Sequence, residues 1–312
     1  MKVLLAVEQT RISAGAIRML SKLMLPSGSD LYLLHVNPIP QKITGLAKER
    51  ILRISQQIQE VQKDVMEHAH EFLNKVEKTL RRQDVQFHTI VKKGYPGEEI
   101  LKTIHAKNID LVVLGTRGYS QAAGFLMGSV SQWILHEARC SVMIARPMAR
   151  EKKQTRGMKV ILATDGSSDS QSAVDFVNSV ELPDSTQIMI LHVVQKHVYE
   201  TEQALTVKSE HEPEFAKMAE ELLEARGREG TRILQDTRKA LASSSLQVKE
   251  RLVFGNPAED ILKTARYIKA DLIVMGARGP AAGRRMFLGS VSNKVVHSAG
   301  CSVAIIRKRE KK

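Results

Sequence analysis

The chain has 312 residues, of which 43% are hydrophobic, and it carries a formal net charge of +13. This length predicts two domains of ordinary size, each with a packed core. The sequence contains neither an apolar run long enough to span a bilayer nor a signal-peptide pattern, so we expect a soluble, cytoplasmic protein without a membrane partner. Its two cysteines, Cys140 and Cys301, are too few for a disulfide framework.

The basic charge raises the alternative of nucleic-acid binding, because clustered cations release counterions from phosphate. Aromatic residues make up only 4% of the chain, which disfavours a platform for stacked bases. Part of the charge lies in segment 149–157 and in the terminal RKREKK. We therefore interpret the charge as solvated faces and tails, and we do not expect nucleic acid to be the partner.

The first 148 residues alternate short apolar runs with amphipathic stretches. The apolar runs read VLLAV, LYLLHV, VQFHTIV, IDLVVLG and SVMIAR, and helices are expected between them, including one that opens at Pro96 and one from about Ser129. Strands that are apolar on both faces and alternate with helices are typical of a parallel sheet covered by helices on each side. The pattern predicts a five-stranded α/β domain.

The same series returns in the second half of the chain. MKVLLAV at residue 1 matches MKVILAT at residue 158, and GYPGEEIL at 94–101 matches GNPAEDIL at 255–262. Self-similarity of this kind indicates a duplicated unit. We predict one domain at residues 1–148, a basic linker at 149–157, a second domain at 158–308 and a basic tail at 309–312.

A glycine-rich loop follows the fourth predicted strand of each unit. It reads GTRGYSQAAGFLMGS at 115–129 and GARGPAAGRRMFLGS at 276–290. Glycine lets a ligand approach the backbone, and the free N–H groups at the start of the next helix attract anions. The arginine at the third position of each loop and hydroxyls at each helix start add donors, namely Arg117, Arg278, Ser129, Ser131, Ser290 and Ser292. One such loop would be interpreted as a turn, but its repetition favours phosphate binding.

Glu8 and Asp165 occupy the same place after the first strand of each unit. Ligands of open parallel sheets bind outside the carboxyl ends of the strands, so a carboxylate here would be near the ligand. It would accept hydrogen bonds from ribose hydroxyls or an adenine amine, or help to hold Mg²⁺. Neither GxxxxGK[ST] nor GxGxxG follows the first strand, which disfavours a P-loop motor and a dinucleotide dehydrogenase.

These features resemble the universal stress protein family, in its tandem form with two such domains in one chain. The family's ATP-binding signature, Gly-x2-Gly-x9-Gly-Ser/Thr, matches Gly115, Gly118, Gly128 and Ser129, and again Gly276, Gly279, Gly289 and Ser290. The resemblance implies Rossmann-like domains of the adenine nucleotide α-hydrolase type, which pair through their last strands as a pseudo-dimer. With the donors above, it implies one nucleotide site at Glu8, Val36, Gly115, Arg117, Gly118, Gly128, Ser129, Val130 and Ser131, and a second at Asp165, Val193, Gly276, Arg278, Gly279, Gly289, Ser290, Val291 and Ser292.

The resemblance also implies a ligand and a role. We expect an ATP-binding module of the stress response and of signalling, with AMP or ADP as alternative ligands and Mg²⁺ as a possible ion. Domain 2 keeps the family's aspartate at position 165 and carries Arg284 and Arg285 in its loop, so we expect it to bind ATP more tightly than domain 1.

Catalysis is not the expected function. The repeated histidines fall within predicted strands or two turns into a helix, so we interpret His35, His192, His136 and His297 as packing residues. Any ATP hydrolysis would then be slow. A homodimer and a protein partner remain open, as does the alternative of a basic scaffold or nucleic-acid-associated stress protein that acts without nucleotide.

Overall fold

The protein forms two compact units, Met1–Pro147 and Met148–Lys312, in a computed structural model. The structure describes residues 1–8, 13–38, 64, 66–82, 84–116, 127–147, 157–195, 212–241, 246–280 and 288–308. The predicted tail at 309–312 and all of the predicted linker except Gly157 lie outside these residues. None of the described helices combines the length and the apolar composition needed to cross a bilayer.

The first unit is a parallel sheet with intervening helices. Its elements are β1 (Lys2–Ala6), α1 (Ser13–Lys22), β2 (Ser29–Pro38), helix α2 over residues 66–80, β3 (Val85–Gly94), α3 (Pro96–Lys107), β4 (Leu111–Gly115), α4 (Ser129–Glu137) and β5 (Ser141–Ala145). The strand order is β3-β2-β1-β4-β5. The chain therefore changes direction across the sheet between β1 and β4, which is where open α/β sheets bind ligands.

The second unit repeats this architecture. Its elements are β6 (Lys159–Ala163), α5 (Ser168–Ser179), β7 (Gln187–Gln195), α6 (Glu212–Ala240), β8 (Gln247–Gly255), α7 (Pro257–Ile268), β9 (Leu272–Gly276), α8 (Ser290–Ser298) and β10 (Ser302–Ile306). These strands are also parallel, in the order β10-β9-β6-β7-β8. The prediction of two five-stranded α/β domains is confirmed, whereas pairing of the domains through their last strands stays a prediction.

Consecutive apolar residues explain why the central strands are covered on both faces. Val3, Leu4 and Leu5 of β1 point alternately to the two faces, and all three are fully buried. β3 and β8 end the strand order of their sheets and alternate more polar residues along their length. The core of each unit therefore lies around β1 or β6, the strand that precedes the predicted site acid.

The start of α3 follows from its sequence. Pro96 occupies the first turn, where it needs no backbone donor, and Glu98 and Glu99 lie beside the positive end of the helix dipole. The helix ends at Asn108, whose left-handed backbone (φ 52°) closes the last turn. This fixed start positions Pro96 and Ile100 beside the carboxyl end of β1, where both line a cavity.

Candidate functional site

A cavity of ≈ 280 Å³ lies at the carboxyl ends of β1, β2 and β4 in domain 1. Most of its wall is apolar and comes from Ala6, Val7, Leu34, Val36, Pro38, Pro96, Ile100 and Leu114. The rest of the wall contains six further residues of the predicted site and one hydroxyl, namely Glu8, Gly115, Gly128, Ser129, Val130, Ser131 and Ser13. Arg117 and Gly118, which complete the predicted site, lie outside the described residues.

The start of α4 presents unpaired backbone donors to this cavity. Its N-cap is Gly128, which has an extended backbone (φ −66°, ψ 153°) and no side chain to cap the helix. The first intrahelical bond runs from Gln132 N–H to the Gly128 carbonyl. The N–H groups of Ser129, Val130 and Ser131 have no acceptor among the described residues. Three such groups at the positive end of a helix form a place for an anion.

Two of the predicted hydroxyl donors are used within the protein. The Ser131 hydroxyl donates to the Gly115 carbonyl at 2.7 Å, and that of Ser292 lies 3.0 Å from the Gly276 carbonyl. Each bond ties the first turn of a helix to the end of the preceding strand. A hydroxyl has one proton, so Ser131 and Ser292 donate within the protein in this arrangement, and their role as donors to a ligand stays a prediction. Ser129 and Ser290, which begin the helices, are exposed.

The predicted site acid of domain 1 has a buried oxygen without a partner among the described residues. The Glu8 backbone N–H donates to Ser13 Oγ at 2.8 Å, which fixes the chain at this point. Glu8 Oε2 is buried and has no hydrogen-bond partner in the described part of the chain. Burial raises the pKa of the Glu8 carboxyl, and the charge of the nearby His35 offsets part of that rise.

A histidine on the second strand of each unit supports the residue before the site acid. His35 Nδ1 lies 2.9 Å from the Val7 carbonyl, and His192 Nδ1 lies 2.8 Å from the Thr164 carbonyl. Both rings are buried. These bonds hold the end of the first strand against the second, which positions Glu8 and Asp165.

In domain 2, the two loops that carry the predicted site lie against each other. Asp165 Oδ1 accepts a hydrogen bond from Ser167 N–H at 3.0 Å. A Cβ atom added to Gly279 would lie only 2.9 Å from Asp165 Oδ2, so only glycine leaves this approach undisturbed. Gly289 then caps α8 as Gly128 caps α4, with Ser290, Val291 and Ser292 in the first turn. Val193 lies on β7, two residues beyond Leu191, whose carbonyl accepts from Thr164 N–H.

Arg278 forms an ion pair that could not be predicted from its position in the glycine-rich loop. Its Nε and Nη2 donate to the two oxygens of Asp169 at 3.0 and 3.3 Å, and the Asp169 side chain is only 4% exposed. The Arg278 carbonyl also accepts from Ser167 Oγ at 3.2 Å. The guanidinium expected to reach phosphate therefore anchors the loop to α5. The feature of the sequence that could have indicated this ion pair is Asp169, in the first turn of α5. Domain 1 has Ile12 at the equivalent position.

Comparison with known proteins agrees with this architecture. Residues 1–146 and 158–307 each match the model of the universal stress protein family. The chain belongs to the universal stress protein family. Universal stress protein YxiE of Bacillus subtilis is 32% identical over 149 residues, which are 48% of this chain and 98% of that protein. A universal stress protein of Methanocaldococcus jannaschii is 28% identical over 153 residues, 49% of this chain and 84% of that protein.

A solved structure matches over the whole length. The crystal structure of a universal stress protein from Archaeoglobus fulgidus covers 100% of this chain and 97% of that chain, with 19% identity and a TM-score of 0.56. At this identity the match supports the fold alone. Together with two family matches in one chain, it confirms the tandem universal stress protein that the glycine signature indicated.

Proposed function

We propose that this tandem universal stress protein binds adenine nucleotide, foremost ATP, at the carboxyl edge of each sheet, and that it acts as a nucleotide-dependent module of the stress response. One observation carries the proposal. The domain 1 cavity combines an apolar wall, a buried carboxyl oxygen and the N–H groups of a helix start, which have no acceptor among the described residues. A nucleotide needs the same three features, for its base, its polar edge and its phosphates.

The cavity is large enough for only part of a nucleotide, so the base and the phosphates would occupy different parts of the site. At ≈ 280 Å³ it is close to the lower limit of ligand pockets, which is about 300 Å³. A base and its ribose would occupy the apolar part between Val7, Leu34 and Val36. The phosphates would then lie at the exposed end, where Ser129 and the free N–H groups of α4 stabilise negative charge. AMP and ADP fit the same scheme and stay alternative ligands.

A metal ion has a limited role in this proposal. The described parts of the chain contain no group of three or more side chains of the kind that hold a metal. Mg²⁺ is commonly held by one or two carboxylates together with phosphate oxygens, so nucleotide would bring most of its ligands. Asp165, whose Oδ1 is held by Ser167 N–H, is the carboxylate that we propose for this role in domain 2.

We also propose that domain 2 binds more tightly than domain 1. Its two site loops are joined through Asp169 and Arg278 and through Ser167 Oγ and the Arg278 carbonyl. A loop that is held before the ligand arrives loses less entropy on binding. Domain 1 has Ile12 in place of Asp169, so its loop cannot form the same ion pair.

Adenylate content and stoichiometry test the proposal. The purified protein is denatured and the released adenylates are identified by chromatography, and the stripped protein is then titrated with Mg·ATP. We expect Gly279→Val to remove one site and Gly118→Val to remove the other. Wild-type protein that neither retains adenylate nor binds added Mg·ATP would overturn the proposal. Salt-sensitive retention on DNA would then favour the basic scaffold alternative.

A further inference from the structure

The two site acids differ in how their oxygens are satisfied. Asp165 Oδ1 accepts a hydrogen bond from Ser167 N–H at 3.0 Å. Glu8, which is longer by one methylene, is followed by Gln9 instead of glycine, and its Oε2 is buried without a described partner. The same place in the two domains therefore holds one carboxyl with a hydrogen bond and one with a buried oxygen that has no partner in the described part of the chain.

The surroundings of Glu8 favour its uncharged form. The apolar part of the cavity wall includes Val7, Leu34 and Val36, which offer no charge to an ionised carboxylate. Among the described residues, His35 on β2 acts on Glu8 in the opposite direction, and its ring nitrogens lie against the Val7 carbonyl and Asn37 Oδ1. An unpaired charge in such a place is costly, so the carboxyl retains its proton more readily than an exposed glutamate does.

We propose that Glu8 binds nucleotide in domain 1 as a neutral carboxylic acid that donates a hydrogen bond, so that domain 1 releases nucleotide as the pH rises and domain 2 does not. This inference rests on the proposed function. It makes Glu8 a residue that sets both the pH response and the base preference of domain 1.

The base preference follows from the donors and acceptors of each form. A neutral carboxyl offers one donor and one acceptor side by side, as the amide of glutamine does. This pair complements the amine and ring nitrogen of adenine, which glutamine and asparagine bind in the same bidentate way. Guanine presents two acceptors on the corresponding edge, which a neutral carboxyl satisfies less well. We therefore expect domain 1 to prefer ATP to GTP while Glu8 is protonated.

The direction of the pH effect follows from the loss of the donor. Above its pKa, Glu8 is a carboxylate with acceptors only, and it would face the ring nitrogen of the base with the same sign of charge. Binding therefore takes place in the protonated form. Once the pH exceeds the pKa of the Glu8 carboxyl, the dissociation constant should rise by up to about tenfold for each further pH unit.

The test isolates domain 1 in the full-length chain. Gly279→Val blocks domain 2, and titration with ATP is followed by the fluorescence of Trp133, which is the single tryptophan of the chain and lies one helical turn from Ser129. The dissociation constant is measured from about pH 5 to about pH 8.5, which brackets the titration of a carboxyl with a raised pKa. Glu8→Gln in the same background is the matched control, because it keeps the neutral donor and acceptor at every pH.

The phosphates of ATP titrate in the same range, but they do so equally in both proteins. We expect the ratio of the wild-type dissociation constant to that of Glu8→Gln to rise with pH. A constant or falling ratio, with ATP bound to both proteins, would overturn the role of Glu8 and leave the proposed function standing. Absence of ATP binding in both proteins at every pH would instead contradict the proposed function of domain 1.

A second measurement does not depend on the folding of Glu8→Gln. Titration calorimetry of the Gly279→Val chain in buffers of different ionisation enthalpy reports the protons taken up with ATP. At a pH just above the pKa of the Glu8 carboxyl, we expect net proton uptake beyond that measured at domain 2 in the Gly118→Val chain. Equal uptake at the two domains would contradict the inference.

Discussion

The two domains share one backbone plan but differ in the side chains around their predicted sites. In domain 2, the pair of Asp169 and Arg278 joins the loop after β9 to the first turn of α5, and Ser167 Oγ joins it to the loop after β6. In domain 1, Ile12 replaces Asp169, and a cavity lies at the same edge of the sheet, where Glu8 Oε2 has no partner among the described residues. The comparison teaches that a duplicated scaffold can keep its glycines while the side chains that join its loops change.

Breaking the ion pair of domain 2 should have the largest effect. Asp169→Asn leaves Arg278 beside a buried neutral group, and hydrogen bonds between charged groups contribute about 1.5–3 kcal/mol. We expect a loss of that order in the free energy of unfolding and about tenfold weaker ATP binding at domain 2, measured in the Gly118→Val background. Asp175→Asn, on the exposed side of the same helix, is the control. Equal losses in the two variants would show that the ion pair does not anchor the loop.

A second difference concerns the contact between the two helices that flank each site. In domain 1, Trp133 of α4 lies directly over Gly97 of α3, where an added Cβ would overlap the ring. Domain 2 has Ala258 and Lys294 at these places, and Lys294 instead pairs with Glu259 at 3.1 Å. We expect Gly97→Ala to lower the free energy of unfolding by about 1–3 kcal/mol through overpacking, as measured by urea denaturation.

Two further variants make that prediction specific. Gly300→Ala adds the same methyl where nothing lies within 4 Å, so it should change stability by less than about 0.5 kcal/mol. Gly97→Ala combined with Trp133→Leu should recover part of the loss, because the smaller side chain leaves room for the methyl. If the double variant is no more stable than Gly97→Ala alone, the ring is not the cause.

The serines at the starts of α4 and α8 test the division between structural and ligand-binding hydroxyls, which the two domains share. Ser131→Ala removes a partly buried hydrogen bond to a strand carbonyl and Ser292→Ala a buried one, and we expect each to lower the free energy of unfolding by about 1 kcal/mol. Ser129→Ala and Ser290→Ala alter exposed residues, so they should leave stability nearly unchanged and weaken ATP binding instead. Both quantities are measured on the same four proteins. The reverse assignment of effects would contradict the roles given to these hydroxyls.

The smallest expected effect is a gain in the stability of the Glu8→Gln variant. The pKa of Glu8 is raised in the folded chain, so the protonated carboxyl favours folding below its unfolded pKa, and that contribution is lost as the pH rises through the folded pKa. Glu8→Gln should therefore be more stable than the wild type at neutral pH, with the difference disappearing in acid. Thermal unfolding in the absence of nucleotide, at a series of pH values, measures it. If the wild type is more stable than Glu8→Gln at neutral pH, the pKa of the Glu8 carboxyl is not raised in the folded chain.

Much of the candidate site followed from local patterns. The glycine spacing, the apolar runs and the place of Glu8 and Asp165 after the first strand can be read from neighbouring residues, because backbone conformation and strand burial depend on short stretches of chain. The partners of Arg278 and Ser131 could not be predicted in this way. They depend on which loops and strand ends meet in the folded sheet, and Asp169 and Arg278 are separated by 109 positions.

The sequence by itself determined the family, the duplication and the order of strands and helices. Repeated motifs indicate the first two, and the periodicity of apolar residues indicates the third. Tertiary structure alone decided which polar groups are already used and which are left for a ligand. It engages the hydroxyls of Ser131 and Ser292 and the guanidinium of Arg278, and it leaves Glu8 Oε2 and the first N–H groups of α4 without a partner among the residues that the structure describes. The physical reason is that a hydrogen bond needs two groups within about 3 Å, and only the folded chain brings distant residues that close.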